Sequence, residues 1–361
     1  MLRGKYSMHV GMGIIFQNPT QQISDQEVYK NDLQLADLAE PLAFDSIWTV
    51  EHHFTGYTMC PDPIQFLTWM AARTKNIQLG SMVAVLPWHD PIRLAEQISV
   101  LDNMSDGRFI FGMGRGAGRI EFEGFGIPMS ESRQRFIESA EMLLEGLENG
   151  FCEYKGKYIQ QKKVDIRPYP FKSFKGRTYA AAVSPESTHI MAKLGVGLLI
   201  IPQKPWKEVL KELENYREIY SKVNATKAPA PILAGWTFCD TNSQRAKEMA
   251  RHYIGEYLNT VLEHYEFARK PLSNMKGYEY YGNIAEKISK YGKEAFVDFF
   301  LELQVYGTPD ECHKKISNFS ELTGAKSFIG VFSYAEMPLN EAERNITLFS
   351  TEVLSRLKHE I

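Results

Sequence analysis

The feature that most constrains the fold is a regular alternation of short apolar runs and longer amphipathic segments. Eight runs, rich in β-branched, aromatic or small residues, have the length and composition of strands. These predicted strands are residues 9–16, 45–50, 77–86, 108–113, 178–183, 196–201, 231–238 and 326–332. Several are apolar on both faces, which is typical of a parallel sheet covered by helices. The alternation predicts an α/β fold, a (β/α)8 TIM barrel rather than a doubly wound open sheet.

The segments between the runs carry helix signals. Ser24 and Glu27 stand at the spacing of a capping box. Asp90 followed by Pro91 predicts the N-cap and the first helical position of another helix. Because no internal repeat or second core is apparent, residues 1–361 are predicted to form one domain.

Two connections are too long to be simple crossovers. Residues 114–177 follow the fourth predicted strand, and residues 256–306 follow the seventh. Long insertions at the ends of barrel strands commonly shape the binding site. We therefore expect both insertions to contribute to the mouth of the barrel.

Charge and composition exclude several classes of partner. A formal net charge of −3 provides no basic surface for nucleic acid. No stretch approaches the ~18 consecutive apolar residues of a membrane span, and the N-terminus has no apolar run long enough for a signal peptide. Four cysteines are scattered without C-x-x-C spacing, which fits a reducing compartment. We expect a cytoplasmic protein without nucleic-acid or membrane partners.

Three polar side chains follow the second predicted strand. Glu51, His52 and His53 stand in TVEHHFTGY, where side chains reach the mouth of a barrel. Successive residues point in opposite directions, so at most two of the three face the mouth, and a metal ion bound by all three is not expected. Imidazole titrates near neutral pH, which favours an acid, base or hydrogen-bond donor role for one histidine. The alternative is a structural imidazole bonded to a backbone carbonyl.

A glycine-rich turn follows the fourth predicted strand, in GRFIFGMGRGAG, residues 107–118. The spacing of Gly112, Gly114 and Ala117 is similar to a dinucleotide-binding motif. That motif requires a helix to begin immediately, whereas more glycines and a proline follow here, which indicates a loop. Small residues let a backbone approach an anion, and the Arg115 guanidinium can bind phosphate.

A second anion site is predicted after the fifth strand, in VSPEST, residues 183–188. Ser184 precedes a helix start, and Ser187 and Thr188 add hydroxyl groups to its first turn. Backbone N–H groups at a helix N-terminus attract anions, although N-capping by Ser184 alone is the simpler alternative. Because strands four and five are neighbours in a barrel, Arg115 and this turn are expected to hold one phosphorylated ligand.

Aromatic side chains are expected at the same mouth. Phe16 follows the first strand, Phe54 and Tyr57 follow the second, and YEYYGN, residues 278–283, lies in the later insertion. An aromatic lining favours a medium-sized hydrophobic substrate over a highly charged one. Core packing is the alternative for Phe16.

Several segments together resemble the bacterial-luciferase-like flavin monooxygenases. TVEHHFTGY, VAVLPWHDPIRLAEQISVLDNMSDGRFIFGMGRG and SPEST occur in the order and at the spacing of that family. YGTPDECHKKI, near residue 306, extends the similarity, which covers most of the chain apart from residues 256–306. The resemblance implies a (β/α)8 barrel that binds FMN at its mouth, with the reduced form supplied by a separate NAD(P)H-dependent flavin reductase.

The resemblance also implies roles for individual residues. His52 matches the histidine beside the reactive edge of the flavin, and Arg115 matches the arginine on the flavin phosphate. Ser184 and Ser187 match the serine-rich turn that completes the phosphate site. Met82–Val83 falls where the family often has a non-proline cis peptide bond under the flavin ring.

The activity implied by the resemblance is oxygenation of an aldehyde, ketone or terpenoid-like molecule. Dioxygen would add to reduced FMN to give a flavin hydroperoxide, and a donor beside the flavin edge would stabilise the developing charge. His52 is predicted to be that donor, with Glu51 or His53 setting its tautomer. A homodimer through the second and third helices is expected.

Two departures and two alternatives accompany this resemblance. Light-emitting members have a cysteine before the phosphate arginine and an acidic residue before the serine turn, whereas this chain has Gly114 and Val183. Light emission is therefore not predicted.

A deazaflavin-dependent hydride transfer on the same barrel is one alternative function. A flavin-binding protein without catalysis is the other, although an imidazole at the flavin edge argues against it.

Overall fold

The structure is a computed structural model that describes residues 7–182, 184–266, 278, 288, 290 and 292–359. Strands within this part of the chain follow in order. They are β1 His9–Ile14, β2 Ser46–Thr49, β3 Gln78–Ser81, β4 Ala84–Val85, β5 Phe109–Gly114, β6 Phe151–Lys155, β7 Gln160–Asp165, β8 Thr178–Ala181, β9 Gly197–Ile200, β10 Ile232–Cys239, β11 Val305–Gly307 and β12 Ser327–Val331.

Eight of these strands form a closed, all-parallel barrel. Their order is β1, β2, β3, β5, β8, β9, β10 and β12, and β12 pairs back onto β1. At the closure His9 lies opposite Ser327, and on the other side of β1 Gly11 lies opposite Ser46. The predicted (β/α)8 TIM barrel is confirmed, and each of the eight predicted runs overlaps one barrel strand.

Helices cover the outside of the barrel. They are α1 Asp25–Asp37, α2 Pro63–Arg73, α3 Pro91–Met104, α4 Arg119–Gly124, α5 Ser132–Asn149, α6 Pro185–Leu194, α7 Trp206–Asn224, α8 Ser243–His264, α9 Lys293–Glu302, α10 Pro309–Thr323, α11 Leu339–Phe349 and α12 Ser355–His359.

Two of the predicted helix starts are confirmed by their caps. The side chain of Ser24 accepts a hydrogen bond from the Glu27 backbone N–H at the start of α1. Asp90 accepts from the N–H groups of Ile92 and Arg93 at the start of α3, where Pro91 occupies the first turn. Capping satisfies donors that have no partner inside the helix, so these residues determine where each helix begins.

The barrel interior is closely packed around Trp48, whose side chain is fully buried on β2. A Cβ atom at Gly80 on β3 would lie 2.2 Å from the Trp48 ring, and one at Gly11 on β1 would lie 2.8 Å from it. Neither position can carry a side chain while the indole keeps its place. Glycines on both neighbouring strands therefore make room for the tryptophan.

The two long insertions have different architectures. Residues 114–177 contain α4, α5 and an antiparallel hairpin of β6 and β7. In residues 256–306, α8 continues to His264 and α9 begins at Lys293, while β11 adds to β10 beside the barrel. Of the predicted YEYYGN lining only Tyr278 lies within the described residues.

Two further findings concern the helices and the cysteines. Among the described helices, none is both long and apolar enough to cross a membrane. All four cysteines are buried and none is in a disulfide.

Candidate active site

A cavity opens where the barrel strands reach their C-terminal ends. The cavity has a volume of about 240 Å³. Most of its wall is apolar, and its polar lining includes Glu51, His52, Tyr57, Thr58, Arg115, Arg133, Ser184, Ser187 and Gln203. An apolar cavity with a few converging polar groups is the usual form of a small-molecule site.

His52 is held in the cavity wall by a buried carboxylate that the sequence did not single out. Its Nδ1 lies 3.0 Å from Oε1 of Glu121, a residue of α4. The same oxygen accepts the backbone N–H of His53 at 3.0 Å. Burial would raise the pKa of Glu121, but the adjacent imidazoles of His52 and His264 outweigh it and lower the pKa to about 2. Glu121 is therefore an ionised acceptor at neutral pH.

A second histidine approaches the other oxygen of the same carboxylate. Nε2 of His264, near the end of α8, lies 3.5 Å from Oε2 of Glu121. The His264 ring stacks on Tyr57 with centroids 4.6 Å apart, and its Nδ1 lies 2.8 Å from the hydroxyl of Thr55. Burial, only partly offset by Glu121, lowers the pKa of His264, so its ring is neutral.

Glu51 makes a separate set of contacts. Its carboxylate accepts the Val85 backbone N–H at 2.7 Å and lies 3.1 Å from Nε2 of His53 and 2.9 Å from Nε2 of His89. Burial would raise the pKa of Glu51, but the bonds from both histidines outweigh it and the pKa is lowered. The prediction that Glu51 or His53 sets the tautomer of His52 is corrected, because the contact with Nδ1 of His52 belongs to Glu121.

The orientation of the three consecutive polar residues follows from these contacts. Glu51 and His52 line the cavity. The His53 ring turns away from it and packs against Phe125 and Trp88, with centroids 4.7 and 5.3 Å apart. The structure thus brings two of the three residues to the cavity, which is within the predicted limit of two. They are adjacent residues, however, whereas strict alternation would have paired Glu51 with His53.

The predicted anion site lies on neighbouring strands. Arg115 follows β5 and Ser184 follows β8, its paired neighbour. Ser184 caps α6 by accepting the Ser187 backbone N–H, and the two hydroxyl oxygens lie 2.9 Å apart. Both serines line the cavity. Thr188 does not, because its hydroxyl donates to the carbonyl of Pro185 at 2.8 Å.

A second arginine, missed in the sequence, joins this side of the cavity. Arg133, in the first turn of α5, lines the cavity and forms an ion pair with Glu186 of α6. Its Nη2 is buried without a hydrogen-bond partner among the described residues. Arg115 packs over the ring of Tyr278 at 4.1 Å. Two guanidinium groups and a helix N-terminus are donors suited to a phosphate group.

Met82 and Val83 also line the cavity, and the peptide bond between them is cis. Val83 explains one departure from the light-emitting proteins. A Cβ atom at Gly114 would lie 2.3 Å from Cγ2 of Val83. The branched valine side chain occupies the place that a cysteine at residue 114 would need.

The predicted aromatic residues occupy three different environments. Tyr57 lines the cavity and its hydroxyl oxygen lies 2.6 Å from that of Tyr257. Phe16 is fully buried and stacks on Tyr29, 4.6 Å between centroids, so core packing accounts for it. Phe54 is 59% exposed and packs on Phe125 outside the cavity. The structure does not bring Phe16 or Phe54 to the cavity.

Other aromatic side chains form the apolar wall instead. Trp236 of β10 lies 4.2 Å from Tyr257 of α8 and 5.6 Å from Phe300 of α9, measured between ring centroids. Phe296 and Val261 complete this wall. Trp236 lies on a strand and the other four residues lie on helices. The spacing of apolar residues along a helix shows which face is buried, but it does not tell a cavity face from a core face.

The cluster of His52, Glu121 and His264 has ligand atoms within 4.8 Å of one another, close enough to hold a metal ion. The 3.0 Å contact between His52 and Glu121 is also an ordinary charge-assisted hydrogen bond, complete without a metal. Glu121 had a sequence signal, an acid shortly after the fourth strand, whereas nothing in the local sequence marks His264.

Comparison with known proteins agrees with this architecture. The luciferase-like monooxygenase family matches residues 8–326, and the chain belongs to that family. The alkanal monooxygenase alpha chain of Photorhabdus luminescens is 27% identical over 341 residues, 93% of this chain and 94% of that protein. The predicted family and the predicted class of enzyme, a flavin-dependent monooxygenase, are confirmed.

Solved structures share the fold. The monooxygenase RslO1 from Streptomyces bottropensis superposes with a TM-score of 0.81 at 24% identity, over 97% of this chain and 99% of that one. The oxygenating constituent of 3,6-diketocamphane monooxygenase from Pseudomonas putida, in complex with FMN, gives 0.72 at 21% identity, over 97% and 99%. A coenzyme F420-dependent tetrahydromethanopterin reductase from Methanopyrus kandleri gives 0.66 at 21%, over 98% and 100%.

Proposed function

We propose that the protein is an FMN-dependent monooxygenase that oxygenates a medium-sized, uncharged hydrophobic substrate with dioxygen. The observation that carries the proposal is one cavity that contains a phosphate-type anion site, a histidine and an aromatic wall. Bound reduced FMN supplies the reducing electrons that activate dioxygen. A deazaflavin is the alternative cofactor, and a test of FMN binding distinguishes the two.

The residues of the chain fit FMN at three points. Arg115, Arg133 and the N-terminal turn of α6 would hold the phosphate, since the unpartnered Nη2 of Arg133 is a donor already buried there. Met82–Val83 would lie against the flavin ring. His52 would hold or deliver a proton at the reactive edge, and the apolar wall would exclude water from that edge.

The substrate class follows from the aromatic wall. Tyr57, Trp236, Tyr257, Phe296 and Phe300 present ring surface to the cavity. Aldehydes, ketones and terpenoid-like molecules complement such a wall, whereas a sulfonate or polycarboxylate would lose hydration without gaining a counter-charge there. A separate NAD(P)H-dependent reductase would supply the reduced FMN, and we expect no light emission.

Stopped-flow absorbance tests the proposal. The protein is mixed with anaerobically reduced FMN and then with dioxygen, with free FMN as the control. A transient absorbing species that outlives the free-flavin reaction, and that shortens when a hydrophobic aldehyde or ketone is present, is the expected result. Reoxidation of bound FMN at the free-flavin rate would instead indicate a flavin-binding protein. Absence of FMN binding would overturn the cofactor and make a deazaflavin the next one to test.

We also propose a homodimer that packs through α2 and α3. Trp69 on α2 is 54% exposed and Met104 on α3 is 61% exposed, with Val100 also exposed on α3. An exposed apolar patch on two neighbouring helices is typical of a subunit interface. Sedimentation velocity should give a dimer for the wild type and a monomer for Trp69→Glu, and a wild-type monomer at all concentrations would contradict the interface.

A further inference from the structure

We infer that Glu121 and His264 are a positioning pair that fixes the proton of His52 on Nδ1 and leaves Nε2 as the nitrogen that serves a ligand in the cavity. The catalytic use of that nitrogen rests on the proposed function. The tautomer itself is a property of the protein and is measurable without FMN or substrate.

Glu121 dictates the tautomer because an ionised carboxylate can only accept hydrogen bonds. Its Oε1 lies 3.0 Å from Nδ1 of His52 and also accepts the His53 backbone N–H. Nδ1 of His52 must therefore carry a hydrogen. In the neutral ring the other nitrogen, Nε2, is then the base, and in the charged ring it is the donor.

His264 keeps the carboxylate in this orientation. Its side chain is 1% exposed, and its Nε2 faces Oε2 of Glu121 at 3.5 Å, too far for a full hydrogen bond. The ring is held on its other side by Thr55 and by stacking on Tyr57. The His264 ring keeps water away from Oε2, so the strong side-chain hydrogen bond of Glu121 is the one that it accepts from His52.

The two imidazoles differ in where a positive charge can form. His264 is buried and neutral at neutral pH, whereas the side chain of His52 is 16% exposed and lines the cavity. A proton that arrives from the cavity is therefore taken up at Nε2 of His52, opposite the Glu121 charge. When Nε2 gives that proton to an oxygen atom in the cavity, the neutral ring keeps its hydrogen on Nδ1.

Nitrogen-15 NMR of the histidine side chains tests the pair directly. FMN-free protein is labelled at histidine, a chelator is present so that no divalent cation can occupy the cluster, and the His52 signals are assigned with His52→Gln. In wild type, the hydrogen of the neutral His52 ring should lie on Nδ1. Glu121→Leu removes the acceptor that faces Nδ1, so the hydrogen should no longer be confined to Nδ1 and the Nε2–H form should appear.

A matched control is Glu51→Gln, which alters the other buried carboxylate and should leave the His52 signals unchanged. His264→Gln is the second variant, in case Glu121→Leu does not fold, and it should give a mixture of the two tautomers. An Nδ1 hydrogen that persists in both Glu121→Leu and His264→Gln would overturn the inference.

A kinetic measurement connects the tautomer to turnover. Glu121→Leu should lower kcat, by no more than the ~10²–10⁴-fold expected for complete loss of an acid–base group, and shift the pH profile, with FMN affinity and KM unchanged. Glu121→Asp should restore part of both. A merely structural role would lower thermal stability without moving the pH profile, and that result would contradict the pair. The NMR experiment uses FMN-free protein, so its result holds even if FMN does not bind. A failure of the proposed function can therefore be told apart from a failure of this inference.

Discussion

Glu51 and Glu121 are both buried carboxylates bonded to histidines near the cavity, but their surroundings differ. Both oxygens of Glu51 are occupied by His53, His89 and the Val85 backbone. Glu121 has one occupied oxygen and one that faces His264 without a hydrogen bond. A fully satisfied carboxylate links loops together, whereas an incompletely satisfied one beside a cavity can still respond to a proton or a ligand.

The largest expected effect is on turnover, and it should differ between the two histidines that these carboxylates contact. His52→Ala should lower turnover by ~10²–10⁴-fold, because the acid–base group at the cavity is lost, while FMN affinity changes little. His53→Ala is the matched variant. The His53 ring contacts Glu51 but does not line the cavity, and the backbone N–H of residue 53 still donates to Glu121 in the variant. It should lower turnover far less. Equal losses of turnover in the two variants, measured by steady-state kinetics, would contradict the different roles given to His52 and His53.

The second effect is on stability. Glu51→Ala would leave the Val85 N–H and two imidazoles without their acceptor, so the free energy of unfolding should fall by ~3–5 kcal/mol, as when one partner of a buried pair is removed. Urea denaturation measures the change. Glu51→Gln, which keeps an acceptor oxygen, should lose less. An unfolding free energy within ~1 kcal/mol of wild type for the alanine variant would mean that Glu51 does not link these loops.

The third effect is the response to acid. The pKa of Glu121 is lowered from 4.5 to about 2 in the folded protein, and the pKa of Glu51 is also lowered. A lowered folded-state pKa gives stability that is complete above pH 4.5 and is lost as the pH falls towards 2. The wild type should therefore lose more stability across this window than Glu121→Gln. Parallel curves of unfolding free energy against pH for the two proteins would contradict this assignment.

The smallest expected effect concerns a buried carboxylate without an imidazole. Burial raises the pKa of Asp32 from 3.8 to about 7, although its carboxylate accepts the Phe16 backbone N–H at 2.8 Å. Stability from this raised pKa is present below pH 3.8 and is lost as the pH rises to 7. Asp32→Asn should therefore match wild type at low pH and be more stable than wild type above pH 7, where burial penalises the charged form of Asp32. A thermal midpoint of Asp32→Asn at pH 8 that equals or lies below that of wild type would show that burial does not disfavour the charged form of Asp32.

Much of the fold could be predicted because its signals are local. Each barrel strand is a short apolar run, and Asp90, Pro91 and Ser184 mark helix starts within a few residues. The positions of His52, Arg115 and Ser184 at the mouth followed from strand ends, because parallel strands in a barrel bring their C-terminal ends to one side. The cavity contacts of these three residues agree with that expectation.

What the sequence by itself determined is thus the barrel and the side of it on which the polar groups lie. Only the tertiary structure decided which groups meet. His264 reaches Glu121 because α8 borders the cavity, and Arg133 reaches Glu186 because α5 packs near the start of α6. The apolar wall shows the same limit, since Phe16 belongs to the core and Trp236 to the cavity. Strand and helix periodicity depends on neighbours along the chain, whereas the pairing of buried charges and rings depends on contacts between residues far apart in it.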